Sequence, residues 1–252
     1  MPVISNSRVS TIPAGLELSA GRLDNASLAN TSGLNPTVGA SLETVHLPGG
    51  IINRLSAAEQ LKVSSTDAND KNAGSGAARR VRITGLGSDG AYLTEDLNLD
   101  GSNGTTQVTT TNSFWMINDF RVQKTGSASD FNAGDITLYA NDGTTALYQI
   151  GAGENANFTA AYALATDEIG YLTSFFASST GNVQLSIWGG SPNKIWLQRF
   201  TTIIPGGSSV YSLPNPIQFG IPGAISYFDF RAKSLTGSDE RVSVDFQLII
   251  ET

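Results

Sequence analysis

Carboxylates are the one resource in this chain that could support hydrolysis. Glycoside cleavage needs only two of them, set roughly 5–9.5 Å apart across a cleft, one to protonate the leaving oxygen and one to attack or to activate water. The dense pairs are Glu95 with Asp96, Asp167 with Glu168, and Asp239 with Glu240. Each pair is adjacent in sequence, and adjacent residues of a strand point to opposite faces, so no pair shares a site unless it lies in a loop. They read as solvated side chains. The single histidine, His46, would carry any imidazole chemistry alone, and it stands against the turn Leu47-Pro48-Gly49-Gly50. Asp67-x-Asn69-Asp70-x-Asn72-x-Gly74 offers oxygen ligands and a glycine, but its spacing departs from a calcium loop and no bidentate Glu follows in place. Phosphate-binding loops, nucleophile elbows and His-Glu-x-x-His pairs are missing from the sequence, and there is no cysteine to serve as nucleophile, zinc ligand or staple. A non-enzymatic chain without metal or cofactor is expected.

Aromatic residues are the other candidates. Trp115, Trp188, Trp196, Tyr171, Phe175 and Phe176 could stack on sugars in a receptor groove, although core packing is their commoner use. Phe114-Trp115 and Phe175-Phe176 place large rings at adjacent positions, hence on both faces of a strand. At least one ring of each pair is then expected to leave the core and meet a neighbouring subunit.

The elements that must position these residues are strands. From about Leu61 onward, short runs of β-formers alternate with turn residues, the pattern of an antiparallel β-sandwich, jelly-roll-like, rather than of βαβ units. Val81 to Thr84, Tyr92 to Leu99, Gln107 to Thr111 and the Phe120–Val122 alternation are examples. Asp135 to Ala140 and Thr145 to Ile150 flank Asn141-Asp142-Gly143-Thr144, whose Asp-Gly step suits a tight hairpin. Later candidates are Gly170 to Ser178, Val183 to Trp188, Ile195 to Ile203, Val210 to Leu213, Ala224 to Lys233 and Val242 to Ile250. Little helix is expected, with Ser56 to Gln60 and Asn157 to Ala165 the only hints. Residues 1–40 read as an extended N-terminal arm, because Met1 to Gly33 is rich in Ser, Asn, Gly and Ala with isolated apolar residues. Residues 41–252 then form the β-sandwich domain, with two lobes or sub-sheets dividing near 125–130.

Composition narrows the function. The chain has 252 residues, 15 Lys and Arg against 22 Asp and Glu, and a net charge of -7. An acidic chain whose one basic cluster is Arg79-Arg80-x-Arg82 is a poor partner for nucleic acid, which is bound by clustered cations. Only 15% of residues are charged, well under the roughly 25% of an average soluble domain. Such a surface suits packing against neighbours. No apolar run is long enough to span a bilayer and no secretory leader is evident, so neither membrane insertion nor export is expected.

Three segments together resemble virion structural proteins of tailed phages, especially marine ones. They are Asn35-Pro36-Thr37-Val38-Gly39 with Glu43 and Gly49-Gly50, then Leu61 to Asp70 leading to Gly74-x-Gly76-Ala77, then Thr94 to Gly101 with Val108-Thr109-Thr110-Thr111-Asn112-Ser113-Phe114. Asn132 to Ile136 and Ile169 to Thr173 are similar too. The resemblance implies a particle component made in the host cytoplasm and placed on the capsid surface. It would be a decoration (cement) protein binding the major capsid protein, or, as the rival, a head- or tail-fibre or adaptor piece that recognises a host glycan. Copies of itself are expected partners, a trimer being favoured on symmetry grounds. The expected contact residues are Asn35, Pro36, Phe114, Trp115, Phe175 and Phe176, with no catalytic residue to carry over.

Overall fold

The computed structural model describes residues 25–74, 76–127, 129–191, 196–221 and 223–252. Fourteen strands and no helix occur among them: β1 (Ala26–Val38), β2 (Glu43–Thr44), β3 (Glu59–Ser65), β4 (Ala78–Leu86), β5 (Tyr92–Asn98), β6 (Val108–Phe114), β7 (Met116–Thr125), β8 (Ile136–Tyr139), β9 (Ala146–Ile150), β10 (Ala161–Leu164), β11 (Ile169–Gly190), β12 (Leu197–Phe219), β13 (Ser226–Ser234) and β14 (Glu240–Glu251). Every pairing is antiparallel. The protein is all-β.

The largest sheet is a long ribbon folded over on itself. β11 pairs with β12 along one edge; along its other edge it pairs with β14 over its first half and with β13 over its second. β1 then adds to β14, while β10 and β2 add to β13. The fold-over is visible in the aromatic contacts. Phe175, in the first half of β11, meets Phe230 of β13 at a ring-centroid distance of 5.2 Å, although Phe230 is paired with Ile187 in the second half. Phe246 of β14 lies 5.2 Å from Phe230 and 5.4 Å from Phe228. The two halves therefore form two layers with one phenylalanine-rich core between them, as in a jelly roll.

Glycines make the corner. Gly206 and Gly207 of β12 have φ of +84° and +87°, the left-handed region that L side chains rarely adopt. Opposite them, a Cβ on Gly181 of β11 would collide with the Glu240 carboxylate. That carboxylate accepts hydrogen bonds from Thr180 Oγ1 (2.6 Å), Thr236 Oγ1 (2.7 Å) and Ser238 Oγ (3.1 Å), which together hold its pKa below the ordinary value. The runs expected as separate strands at Gly170 to Ser178 and Val183 to Trp188 are one strand bent here. So are the two runs within β12.

Residues 45–160 form an inserted lobe, itself a sandwich of two sheets in the orders β6-β3-β8-β9 and β5-β4-β7. Leu61, Val63, Phe114, Ile136 and Leu138 of the first share a buried cluster with Val81, Ile83 and Phe120 of the second. The Asp142-Gly143 hairpin joins β8 to β9: Gly143 takes φ +73°, and Asp142 accepts the amides of Thr144 and Thr145, both at 2.8 Å. β13 serves both cores, with Phe228, Phe230 and Ala232 inside the folded-over sandwich and Tyr227 under the lobe.

Two features of the organisation bear on the expected arm and lobes. Of the expected arm, residues 1–24 lie outside the described residues, whereas Ala26–Val38 is a sheet strand whose partners run from Ala26↔Glu251 to Val38↔Glu240. Backbone pairing to β14 orders this polar segment without a large apolar face. The expected dividing point near 125–130 falls at the end of β7, inside the inserted lobe. The chain leaves the outer sandwich at Val45–His46 and re-enters at Thr159–Ala160, where a His46↔Thr159 bridge closes the crossing.

Candidate assembly surface

In each pair at least one carboxylate is committed to structure. Glu95 accepts the backbone amides of Thr111 (2.7 Å) and Asn112 (2.9 Å). Asp96 takes a two-pronged hydrogen bond from Arg82 at 2.6 and 2.8 Å, which lowers its pKa. Glu168 accepts from Tyr92 Oη (2.7 Å) and the Ala165 amide (2.9 Å), and Glu240 pins the corner. Tyr92 lies in the lobe and Glu168 in the outer sandwich, so this contact ties the two. Burial, followed by the neighbouring Tyr162, raises the Tyr92 pKa.

The calcium-like segment is a hydrogen-bond cage. Asp70 is fully buried and accepts from Ser65 Oγ (2.6 Å), and from the amides of Ala78 (3.0 Å), Ala133 (2.8 Å) and Gly134 (2.9 Å). Its oxygens are used in joining β3 to the start of β4 and to the residues before β8. Among the described residues no group of three or more His, Asp or Glu is placed to hold a metal ion. His46 is buried where the lobe begins, with Nε2 3.0 Å from the Gly49 carbonyl and Nδ1 unpartnered. Burial lowers its pKa, against the opposing effect of the Gly49 and Gly50 backbone and then of the Asp229 and Glu43 charges. A cavity of about 770 Å³ at the Gly189–Leu197 end of the β11–β12 hairpin has Arg199 as its one charged group among the described lining residues. It offers no acid–base pair.

The tryptophans are engaged as well. The Arg54 guanidinium lies 3.5 Å from the centroid of the Trp196 ring and donates to Asp229 at 2.9 Å. Arg231 donates to the same carboxylate at 2.9 and 3.2 Å and lies 5.0 Å from the Trp188 ring. Asp229 is fully buried, so two guanidiniums and the Thr44 hydroxyl satisfy it in place of water. Trp115 is half-buried and donates its indole N–H to the Leu55 carbonyl at 3.1 Å.

The six expected contact residues separate clearly. Asn35 is buried, its amide donating to Glu43 and to the Thr44 carbonyl, both at 3.2 Å, whereas Pro36 is exposed at a bulge of β1. Phe114 and Phe175 are core residues. Phe114 closes β6 and Trp115 falls between β6 and β7, so the alternation that would send one ring outward does not operate there, and both pack on the lobe core. In Phe175-Phe176 alternation does operate: Phe175 is 2% exposed and Phe176 36%. Asn35, Phe114 and Phe175 are thus buried and Trp115 half-buried, and Pro36 and Phe176 lie at the surface.

Sequence reasoning missed the neighbour of Phe176. Val210 of β12, its cross-strand partner, is 72% exposed. The pair sits beside a shallow groove of about 360 Å³ bordered by Asn30, Ser32, Ser174 and Gln247, with Asp245 the one charged residue. Only the register, which the sequence does not disclose, brings Val210 to Phe176. Further along β12, Leu197 and Ile203 are 52% and 60% exposed.

No protein-family model matches the chain, and no curated protein matches it. Solved structures of infectious bursal disease virus align at low similarity. The Gx strain structure gives 10% identity over 91% of this chain and 77% of that chain, with a TM-score of 0.23. The VP2 subviral particle gives 11% identity over 90% and 72%, with a TM-score of 0.23. The Gt strain structure gives 12% identity over 90% and 72%, with a TM-score of 0.21. These scores are too low to carry an argument about this chain.

Proposed function

We propose that this chain is a non-enzymatic structural protein of a virion, and that it decorates the shell built by the major capsid protein. The observation that carries the reading is the Phe176–Val210 pair, an exposed apolar contact set in a face of Ser, Asn and Gln side chains. A face of this kind has little charge to desolvate when it is pressed on a neighbour, and repeated over a lattice even a modest contact gains strongly from multivalency. The commitment of Glu95, Asp96, Glu168 and Glu240 to structural hydrogen bonds supports a role without hydrolysis. The likeness of the Asn35–Gly39, Leu61–Asp70 and Val108–Phe114 segments to phage virion proteins supports the location.

The test is the copy number and position of the protein in purified particles, by quantitative mass spectrometry joined to a density map. Hundreds of copies on the shell are expected, and Phe176→Ser with Val210→Ser should reduce occupancy at least tenfold while leaving the far-ultraviolet circular dichroism unchanged. A dozen copies or fewer at a vertex or tail would replace decoration by a fibre or adaptor role.

A further inference from the structure

β12 is a 23-residue strand that pairs with β11 alone among the described residues, so its other edge offers a long row of backbone N–H and C=O groups. Edges of this kind template the addition of another strand, and monomeric proteins blunt them with short strands, charges or a covering segment. β12 carries one charge, Arg199, in a chain with 15 basic and 22 acidic residues. Prolines and glycines interrupt it at the corner and near its end. Regular pairing to β11 nevertheless continues over Phe200–Pro205 and over Gly207–Ser212, which leaves two straight edges, one in each layer. Both are bordered by exposed apolar side chains, Ile203 on one layer and Val210 on the other. The inward residues Phe200, Tyr211 and Ile217 are only partly buried, so the sandwich is loosely closed along this side, where the Arg199 side chain donates to the Gln218 carbonyl at 3.3 Å.

The other long uncharged edge differs. The far side of β1 is partly covered, because the Leu34 amide donates to the Phe158 carbonyl at 3.3 Å and Gly33 is pressed against Ala160. Among the described residues β12 has no such backbone cover.

We infer that the β12 edge is the surface on which a second copy of this chain docks, the two β12 strands running antiparallel about a two-fold axis. Charge selects the occupant. Two chains of net charge -7 repel over most of their surfaces, and β12 is a strip on which they meet with no carboxylate opposed to a carboxylate. A strongly charged partner finds almost nothing there to pair with. An isologous contact satisfies both edges at once and closes, leaving no strand to propagate into fibres. This inference deepens the proposed structural role by naming the self-association surface, and it replaces the trimer expected from symmetry alone with a two-fold pair.

The test is the mass in solution of the full chain by sedimentation equilibrium between about 1 and 100 µM. A dimer is expected. Thr201→Lys with Ile203→Lys, both on outward positions of β12, should raise its dissociation constant at least tenfold with an unchanged far-ultraviolet spectrum. Because the chain has no cysteine, single cysteines placed in turn along β12 of the otherwise unaltered protein give an independent readout. At least one position near the axis should yield a disulfide-linked dimer under mild oxidation. A monomer at 100 µM, a trimer, or cross-linking only when β12 and β1 cysteines are mixed would overturn the inference. Particle binding is scored separately: a monomer found on shells sinks the two-fold pair and leaves decoration standing, and a β12-linked dimer absent from particles does the reverse.

Discussion

The inserted lobe and the folded-over sandwich are both antiparallel β-structures with apolar cores, yet one sheet of the lobe has charged edge strands where the long edges of the sandwich have almost no charge. In the lobe, the edge strand β5 carries Glu95 and Asp96, and β7 on the other side of the same sheet carries Asp119, Arg121 and Lys124. In the sandwich, β1 has no charge and β12 has one. Charged edges discourage strand addition. That lobe sheet is thus guarded at both edges, and the uncharged edges of the other lobe sheet, β6 and β9, are short, seven and five residues against 23 in β12. On the proposed reading, assembly contacts gather on the outer sandwich.

The largest way to break this comparison is to cut the joint between the two regions. Asp229 is buried between Arg231 of its own strand and Arg54 of the lobe. Asp229→Ala leaves both guanidiniums without their counter-charge, and removal of one partner from such a group costs about 3–5 kcal/mol. Chemical denaturation should show that loss. Hydrogen exchange should show the extra opening concentrated where Arg54, Trp196 and Tyr227 meet, with the Asp142–Thr145 hairpin still protected. Uniform loss of protection would mean that the two regions have no separate stability.

A smaller change sharpens the comparison, because only the outer sandwich turns a corner. Gly181→Ala drives a methyl group toward the Glu240 carboxylate, which Thr180, Thr236 and Ser238 hold in place. Overpacking of this kind costs about 1–3 kcal/mol. The loss should appear in the melting midpoint, whereas Gly101→Ala in the lobe, where a Cβ meets nothing within 4 Å, should leave the midpoint nearly unchanged.

The lobe was the more legible region. Its hairpin follows from Asp142-Gly143, and the alternation around Phe120 is that of β7. The final strand was equally clear, since Val242, Val244, Phe246 and Leu248 all face the core. The outer sandwich hid more. Thr180-Gly181-Asn182 and Pro205-Gly206-Gly207 have the residues of turns but bend continuous strands, because pairing to β14 and β13 on one side and between β11 and β12 carries the ribbon through. Ala26–Val38 lacks an apolar face, so the fact that decides its fate, the β14 edge more than two hundred residues away, is invisible locally. The insertion at Val45 and Thr159 leaves no compositional mark. At the surface, strand alternation correctly sent Phe176 outward, while Val210 needed the register.

The smallest effect concerns the point where the two regions exchange the chain. His46 is the single histidine, buried beside the His46↔Thr159 bridge, and burial holds its pKa below the ordinary 6.5. The unfolded chain therefore binds the proton first as pH falls. Between 6.5 and the lower folded-state pKa the unfolded state carries more protons, so stability declines on acidification and is fully present above 6.5. One proton limits the slope to about 1.4 kcal/mol per pH unit. His46→Gln can still donate an amide N–H toward the Gly49 carbonyl but cannot titrate, so the difference in unfolding free energy between the two proteins should change with pH from 7.5 down to 5. Carboxylates such as Glu240, with lowered pKa values, lose their contribution only at more acidic pH and do so equally in both proteins. If the two proteins keep a constant difference across that range, His46 takes no part in the acid response.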